Sequence, residues 1–225
     1  MITFIIATRN AHKVQEILGI LGDKFRYLTL MDFPNAPPVI EDAATFAGNA
    51  TKKAVELAKW VSRSANTPNA SPAWVLADDS GLEVDALNGA PGVHSARFAA
   101  LDAGNAGNSP DEANRAKLLQ LMKDVPLEKR TARFRCVIAL TRLIREANES
   151  ASPVCYANES EMQTEVFEGA CEGRIGLEPR GQGGFGYDSL FIPVGHEQTF
   201  AELREEAKNL LSHRGKALEK LKRRF

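Results

Sequence analysis

The chain is poor in cysteine. Cys136, Cys155 and Cys171 are an odd set of three, with no CxxC pair and no Cys/His spacing suited to a metal. That excludes a disulfide-stapled extracellular scaffold and points to a reducing, cytoplasmic setting. No surplus of positive charge exists either: 28 Lys and Arg face 29 Asp and Glu. A protein that grips a nucleic-acid polymer usually carries a clear basic excess, so an anionic partner should be small and met by a few local cations. No apolar run approaches the roughly 20 residues that span a bilayer, and no membrane partner is expected. The N-terminal MITFIIATRN has neither a basic leader segment nor a cleavage site. Internal repeats and low-complexity blocks are also missing.

What is present is an alternation of strand-like and helix-like segments. Thr3, Phe4, Ile5, Ile6 and Ala7 form a continuous apolar run, the mark of a strand buried on both faces. Residues 12–21 then place Val14, Ile17, Leu18 and Leu21 at helical spacing. Residues 25–30 alternate like a strand. Residues 46–61 carry an alanine-rich helical face, and 74–77 read as a short buried strand. Ser109, Pro110 and Glu112 predict a capped helix to about Lys123. Residues 133–143 and 164–170 are β-rich. Thr199 and Glu202 predict a capping box opening a helix toward Leu211, and a basic helix ends the chain. Residues 64–72 and 146–161 read as surface insertions rather than linkers. One α/β domain over residues 1–225 is expected, with helices covering a sheet.

Five clusters carry chemistry. In the first (ATRNAHK, residues 7–13), a buried strand runs into a helix start, where unpaired N–H groups and the dipole favour an anion. Thr8 and Asn10 add hydrogen bonds and Lys13 a charge, although taken alone the pattern is more simply explained by Asn10 as a plain cap with Lys13 in solvent. In the second, Asp78 and Asp79 are adjacent carboxylates followed by Ser80 and Gly81. Two neighbouring anions call for a cation, and Mg²⁺ takes one or two carboxylates plus phosphate oxygens. Gly81 is read as a tight turn presenting them at a strand end.

The third cluster is Glu41, a further candidate metal ligand, with Lys53 on the next helix. The fourth is the glycine-rich stretch 179–188 (PRGQGGFGYD), where a planar base would stack on Phe185 or Tyr187. The fifth gathers Lys208, His213 and Arg214 as donors for phosphate or carbonyl oxygens.

Together these blocks resemble the inosine triphosphate pyrophosphatases, also called Ham1-like or non-canonical purine NTP pyrophosphatases. The resemblance runs through residues 7–13, 41–54, 76–97, 167–175, 181–193 and 199–218. Its most specific parts are ADDSGL, GAPG and GGFGYD. It implies a two-lobed, elongated α/β fold with a mixed sheet and a nucleotide cleft between the lobes. It also implies hydrolysis of ITP, dITP and XTP to the monophosphate and pyrophosphate, a Mg²⁺ cofactor and a homodimer. By position, Thr8, Arg9, Asn10 and Lys13 would meet phosphates, and Glu41 and Asp79 would bind magnesium with Asp78 close by. Asp79 would act as base. Ser80 and Lys53 would touch substrate, and Phe185, Gly186, Tyr187, Asp188, Lys208, His213 and Arg214 would surround the base and sugar-phosphate. Arg9 stands where the family commonly has Gly, Ser189 where it has Pro, and Asn88 and His94 where it has Gly and Tyr. Two other readings stay open: a Maf-like pyrophosphatase of modified nucleotides, and a non-catalytic nucleotide-binding protein. The enzymatic reading requires Glu41 and Asp79 to converge.

Overall fold

The computed structural model describes residues 1–63, 73–104, 107–143 and 162–225. Both expected insertions and Cys155 lie outside these residues. The elements run β1 (Thr3–Ile6), α1 (Ala11–Leu21), β2 (Arg26–Thr29), α2 (Phe46–Arg63), β3 (Ala73–Val84), α3 (Asp111–Leu121), β4 (Thr131–Arg142), β5 (Thr164–Ile175), β6 (Phe191–Pro193), α4 (Glu205–Leu211) and α5 (His213–Lys222). Short 3₁₀ turns, including Gly92–Arg97, link β3 to α3.

The strands form one mixed sheet in the order β2-β1-β3-β4-β5-β6. β1 is parallel to β2 and to β3, and the remaining pairs are antiparallel. β1 pairs with only the first part of β3, from Thr3 opposite Ala73 to Ile6 opposite Leu76. At the other end of the sheet, β6 pairs with only the last residues of β5. The long strands β3, β4 and β5 therefore join two differently flanked halves. Asp78 and Asp79 lie just beyond the carboxyl end of β1, the place where open α/β sheets bind ligands.

Strand alternation sorts β3 between two cores. Val75 and Ala77 pack with Ile5, Val137 and the Ala50, Ala54, Leu57 and Ala58 stripe of α2. Trp74 and Leu76 face the other way, against Ile17, Leu21, Ala217 and Leu218 of α1 and α5. Further along, Leu82 and Val84 join Phe134, Phe191 and Phe200 in a third cluster. Each such fully buried large side chain contributes roughly 1.5–3 kcal/mol.

Four local expectations are corrected. The strand expected over 74–77 runs on to Val84, so the acidic pair sits within a strand rather than at its end. Gly81 makes no turn: a Cβ there would come within 2.5 Å of the Gly92 carbonyl oxygen and Ser95 Oγ. The glycine lets the Gly92–Arg97 turn close on the strand, which the pairing with β4 prolongs. Ser109 does not cap α3; its hydroxyl accepts from the Ala100 N–H at 2.8 Å. The Thr199 box is half formed. Glu202 accepts the Thr199 N–H at 2.7 Å, but the Thr199 hydroxyl donates to the Arg180 carbonyl, and the helix starts only at Glu205.

Candidate active site

The α2 face of the sheet brings Glu41, Lys53 and Asp79 together. Lys53 Nζ lies 3.0 Å from Asp79 Oδ1 and 3.2 Å from Glu41 Oε2, and donates to the Asp78 carbonyl at 2.8 Å. Glu41 is delivered by a braced loop. Asn49 of α2 accepts the Ala43 N–H and donates to the Ala43 carbonyl, and Arg97 donates to the Glu41 carbonyl at 3.1 Å.

Asp79 is 6% exposed, and its Oδ2 has no hydrogen-bond partner among the described residues. Burial pushes its pKa up to about 6, with Lys53 only partly offsetting that cost. For the more open Glu41, burial also opposes ionisation, but the Lys53 charge, hydrogen bonding with Asp79 and Lys53 and the Lys13 charge together outweigh it and the pKa falls. One lysine thus serves two carboxylates, and the deeper of them keeps a free oxygen.

Asp78 points to the opposite face. It accepts from Lys13 Nζ at 2.5 Å, Arg214 Nε at 2.9 Å, Ser80 Oγ at 2.9 Å and Cys136 Sγ at 3.2 Å. Burial alone would raise its pKa, yet Arg214 and Lys13 hold it well below the usual carboxylate range. From there the charges alternate. Arg214 also pairs with Glu16, and Lys208 bridges Glu16 and Asp188, each at 2.6 Å. The possible metal role for Asp78 is therefore corrected: its oxygens are committed to cations on the face away from Glu41. Lys13, Lys208 and Arg214, expected as open donors, are paired into this buried network. Arg214 sits in the first turn of α5, where the helix dipole disfavours a cation; Asp78 and Glu16 compensate for that.

Two adjoining cavities meet at Asn10, Lys13, Ser80 and Ala96. The first, about 280 Å³, is also walled by Thr8, Arg9, Glu41, Lys53 and Asp79. Thr8 Oγ1 accepts the Asn10 N–H, and Asn10 Oδ1 accepts the Lys13 N–H as the cap of α1. Arg9 reaches across to donate to the Ala36 carbonyl at 2.9 Å, so it ties down the facing loop.

The second cavity, about 110 Å³, is lined by Phe185, Gly186, Tyr187, Asp188, Lys208, His213 and Arg214, among others. Phe185 is half-buried, its ring stacked on His12 with centroids 5.3 Å apart. Tyr187 is not an open stacking surface: it is 3% exposed and its hydroxyl donates to the Ser95 carbonyl at 2.9 Å. His213 stacks on Phe134 at 4.7 Å, and burial keeps its pKa well below the ordinary value. A larger groove of about 860 Å³ lies elsewhere, beside α4, α5 and β5, and includes neither Asp79 nor Glu41.

Of the departures noted in the sequence, Asn88 takes a left-handed conformation at φ 54°, which Asn tolerates better than most residues. Glu16, Arg97, Ser95 and Asn114 were missed by sequence reasoning. The one available signal was Glu16, a charge beside the apolar stripe of α1. Among the described residues no three His, Cys, Asp or Glu side chains converge on a point. The site therefore offers a pair of carboxylates rather than a cage, which suits Mg²⁺ completed by phosphate oxygens.

A sequence model of the Ham1 family matches residues 4–224. The chain is similar to the dITP/XTP pyrophosphatase of Geobacter sulfurreducens, at 47% identity over 99% of this chain and 96% of that one. It is similar to the dITP/XTP pyrophosphatase of Desulforamulus reducens at 45% identity, covering 96% and 92% of the two chains. Among solved structures, a HAM1 protein from Coxiella burnetii superposes with a TM-score of 0.74 at 34% identity, over 99% of this chain and 98% of that one. A dITP/XTP pyrophosphatase from Mycobacterium abscessus gives 0.68 at 37% identity, over 97% and 98%.

Proposed function

The chain belongs to the Ham1 family, and from that premise we infer that it hydrolyses non-canonical purine nucleoside triphosphates to the monophosphate and pyrophosphate. The observation that carries the reading is the Glu41–Lys53–Asp79 cluster, with its unpartnered Asp79 oxygen, opening into a cavity continuous with an aromatic-lined slot. The triphosphate lies along the Thr8, Arg9, Asn10 and Lys13 wall and the purine in the smaller cavity.

Glu41 and Asp79 would hold Mg²⁺. When bound, the ion supplies charge neutralisation for the phosphate oxygens. Asp79, whose second carboxylate oxygen has no hydrogen-bond partner among the described residues, accepts the proton of the attacking water. Lys53 holds the two carboxylates side by side against their mutual repulsion. Ser80 faces the phosphates from the Asp78 side.

Selection of the base rests on hydrogen-bond donors, from backbone N–H groups or the His213–Arg214 region, meeting a 6-oxo group. Adenine presents a donor at that position, and such mismatches discriminate strongly. A homodimer and a cytoplasmic setting complete the proposal. Their support is the family resemblance and the two thiols, Cys136 and Cys171, that are buried and unpaired. No helix of the described residues is long and apolar enough to cross a membrane.

Steady-state pyrophosphate release from ITP, dITP, XTP, GTP, ATP and dUTP with Mg²⁺ tests the function. Preference for ITP, dITP and XTP is expected. Preference for a pyrimidine would favour a Maf-like activity, and binding without turnover a nucleotide sensor.

Phe185→Ala is expected to raise KM for ITP about tenfold with kcat nearly unchanged, the loss of a stacking contact of ~1–3 kcal/mol. An unaltered KM would remove Phe185 from base binding.

A further inference from the structure

One residue of the glycine-rich loop, Gly186, has both its backbone N–H and its backbone carbonyl held by a single helix. The Gly186 N–H donates to Asp111 Oδ2 at 2.6 Å. The Gly186 carbonyl accepts from Arg115 at 2.8 Å. Asp111 and Arg115 are four residues apart on α3, so they project from the same helical face. Gly186 itself has φ 60°, a conformation that L side chains rarely adopt. Among the described residues no bond to a strand or helix ladder holds Gly186. Its neighbour Phe185 is fixed on the other side, where its N–H donates to Asp188 Oδ2 at 3.0 Å.

The same helix also holds the opposite wall. Asn114 is 2% exposed; it donates to the Ala96 carbonyl at 3.2 Å and accepts the Ala99 N–H at 2.9 Å. Ala96, Gly186 and Asp111 itself line the smaller cavity. α3 thus ties both walls to one helix, alongside the direct bond from the Tyr187 hydroxyl to the Ser95 carbonyl. Neither Asp111 nor Arg115 is needed for the core: Asp111 is exposed and Arg115 only partly buried.

We propose that Asp111 and Arg115 are positioning residues for the purine slot, fixing the backbone on both sides of Gly186 and through it the orientation of the Phe185 ring. The proposal rests on the functional reading above. A flexible loop must lose freedom when base binds, and that cost falls on affinity; a loop already clamped has less to lose. The signature is therefore a change in KM with little change in kcat.

The test uses Asp111→Ala, Arg115→Met and the conservative Asp111→Asn, whose side-chain oxygen can still accept the Gly186 N–H. Asp111→Ala and Arg115→Met are each expected to raise KM for ITP about tenfold, the scale of one hydrogen bond to a charged group. kcat should stay within about twofold on the same ground, that only binding is touched. Inhibition by inorganic tripolyphosphate, which has no base, should not change, and Asp111→Asn should behave like the native chain. Independently of turnover, hydrogen exchange at the Gly186 amide should speed up in Asp111→Ala and return to native in Asp111→Asn.

An unchanged Gly186 exchange rate in Asp111→Ala would overturn the proposal whatever the substrate. So would equal losses for ITP and tripolyphosphate, or an Asp111→Asn variant as impaired as Asp111→Ala. If the native chain releases no pyrophosphate from ITP while the exchange result holds, the clamp stands as structure and the functional reading is what has failed.

Discussion

Asp79→Asn is expected to lower kcat by at least about a thousandfold, the upper range for removing a positioned base, while ITP binding is partly kept. Lys13, Arg9 and the purine slot remain in the variant, so affinity does not depend on Asp79 alone. The same substitution should make the metal-free protein more stable. Asp79 pays for its position: burial lifts its pKa from 3.8 to about 6, which corresponds to about 3 kcal/mol at 1.36 kcal/mol per unit.

The sign follows from proton binding. Between the unfolded and folded pKa values the native state holds the proton more tightly, so stability falls as pH rises from about 4 to about 6. Above that the penalty is constant. Asn carries no charge and escapes it. Thermal melts in chelator should therefore show the variant ahead at pH 8, by up to that amount, and level with the native chain near pH 4. Lys53 keeps Glu41 as a partner in the variant, which limits the offsetting loss. Full turnover in Asp79→Asn would remove the residue from the chemistry. A variant less stable than native at pH 8 would show that Lys53, not burial, sets the balance.

Arg214→Met should cost about 3–5 kcal/mol, the penalty for breaking a buried ion pair from one side. Arg214 is 1% exposed and stands between Asp78 and Glu16. Its loss leaves two buried carboxylates short of a counter-charge. In a chain of this size that is a fall in Tm on the order of 10 °C. A surface pair offers the contrast. Arg223 and Glu219 lie 3.9 Å apart and largely in solvent, where removing one partner shifts stability by about 0.5 kcal/mol or less.

Asp78 should also titrate differently. Arg214 and Lys13 hold its pKa far down in spite of burial, so the native chain keeps this contribution above the unfolded pKa and loses it only as pH falls through the folded value. Without Arg214 the folded value rises, and acid unfolding should begin at higher pH. Arg214→Lys, which keeps the charge but not the fork, should fall between the two. Equal melting temperatures for native and Arg214→Met proteins would mean the network carries no net stability.

The order of strands and helices was legible because it depends on local spacing. Val14, Ile17, Leu18 and Leu21 repeat at the period of a helix, and Phe4 to Ala7 form an unbroken apolar run. Helix α2 came out of the alanine stripe with both ends nearly right. Where reading failed, a partner distant in sequence had changed the outcome. β3 continues through an acidic pair and a glycine because β4 pairs with it along its length, from Trp74 opposite Arg142 to Val84 opposite Ala132. Ser109 was taken from its cap position by the Ala100 N–H. Tyr187 looked available for stacking, but Ser95, from the other side of the slot, holds it inside.

Residue order alone established an α/β alternation, a set of candidate anion and metal groups, and a resemblance specific enough to imply a reaction. These follow from periodicity and from short blocks whose meaning is local. Folding in three dimensions settled which charge answers which. Asp78 and Asp79 are adjacent in the chain, yet the pleat of β3 sends one to Arg214 and Lys13 and the other to Lys53 and Glu41. Lys208 and Arg214 reach Glu16 across 192 and 198 residues, and no spacing rule spans that distance. Coulomb energy depends on separation in space and on burial, and only the packed sheet fixes both.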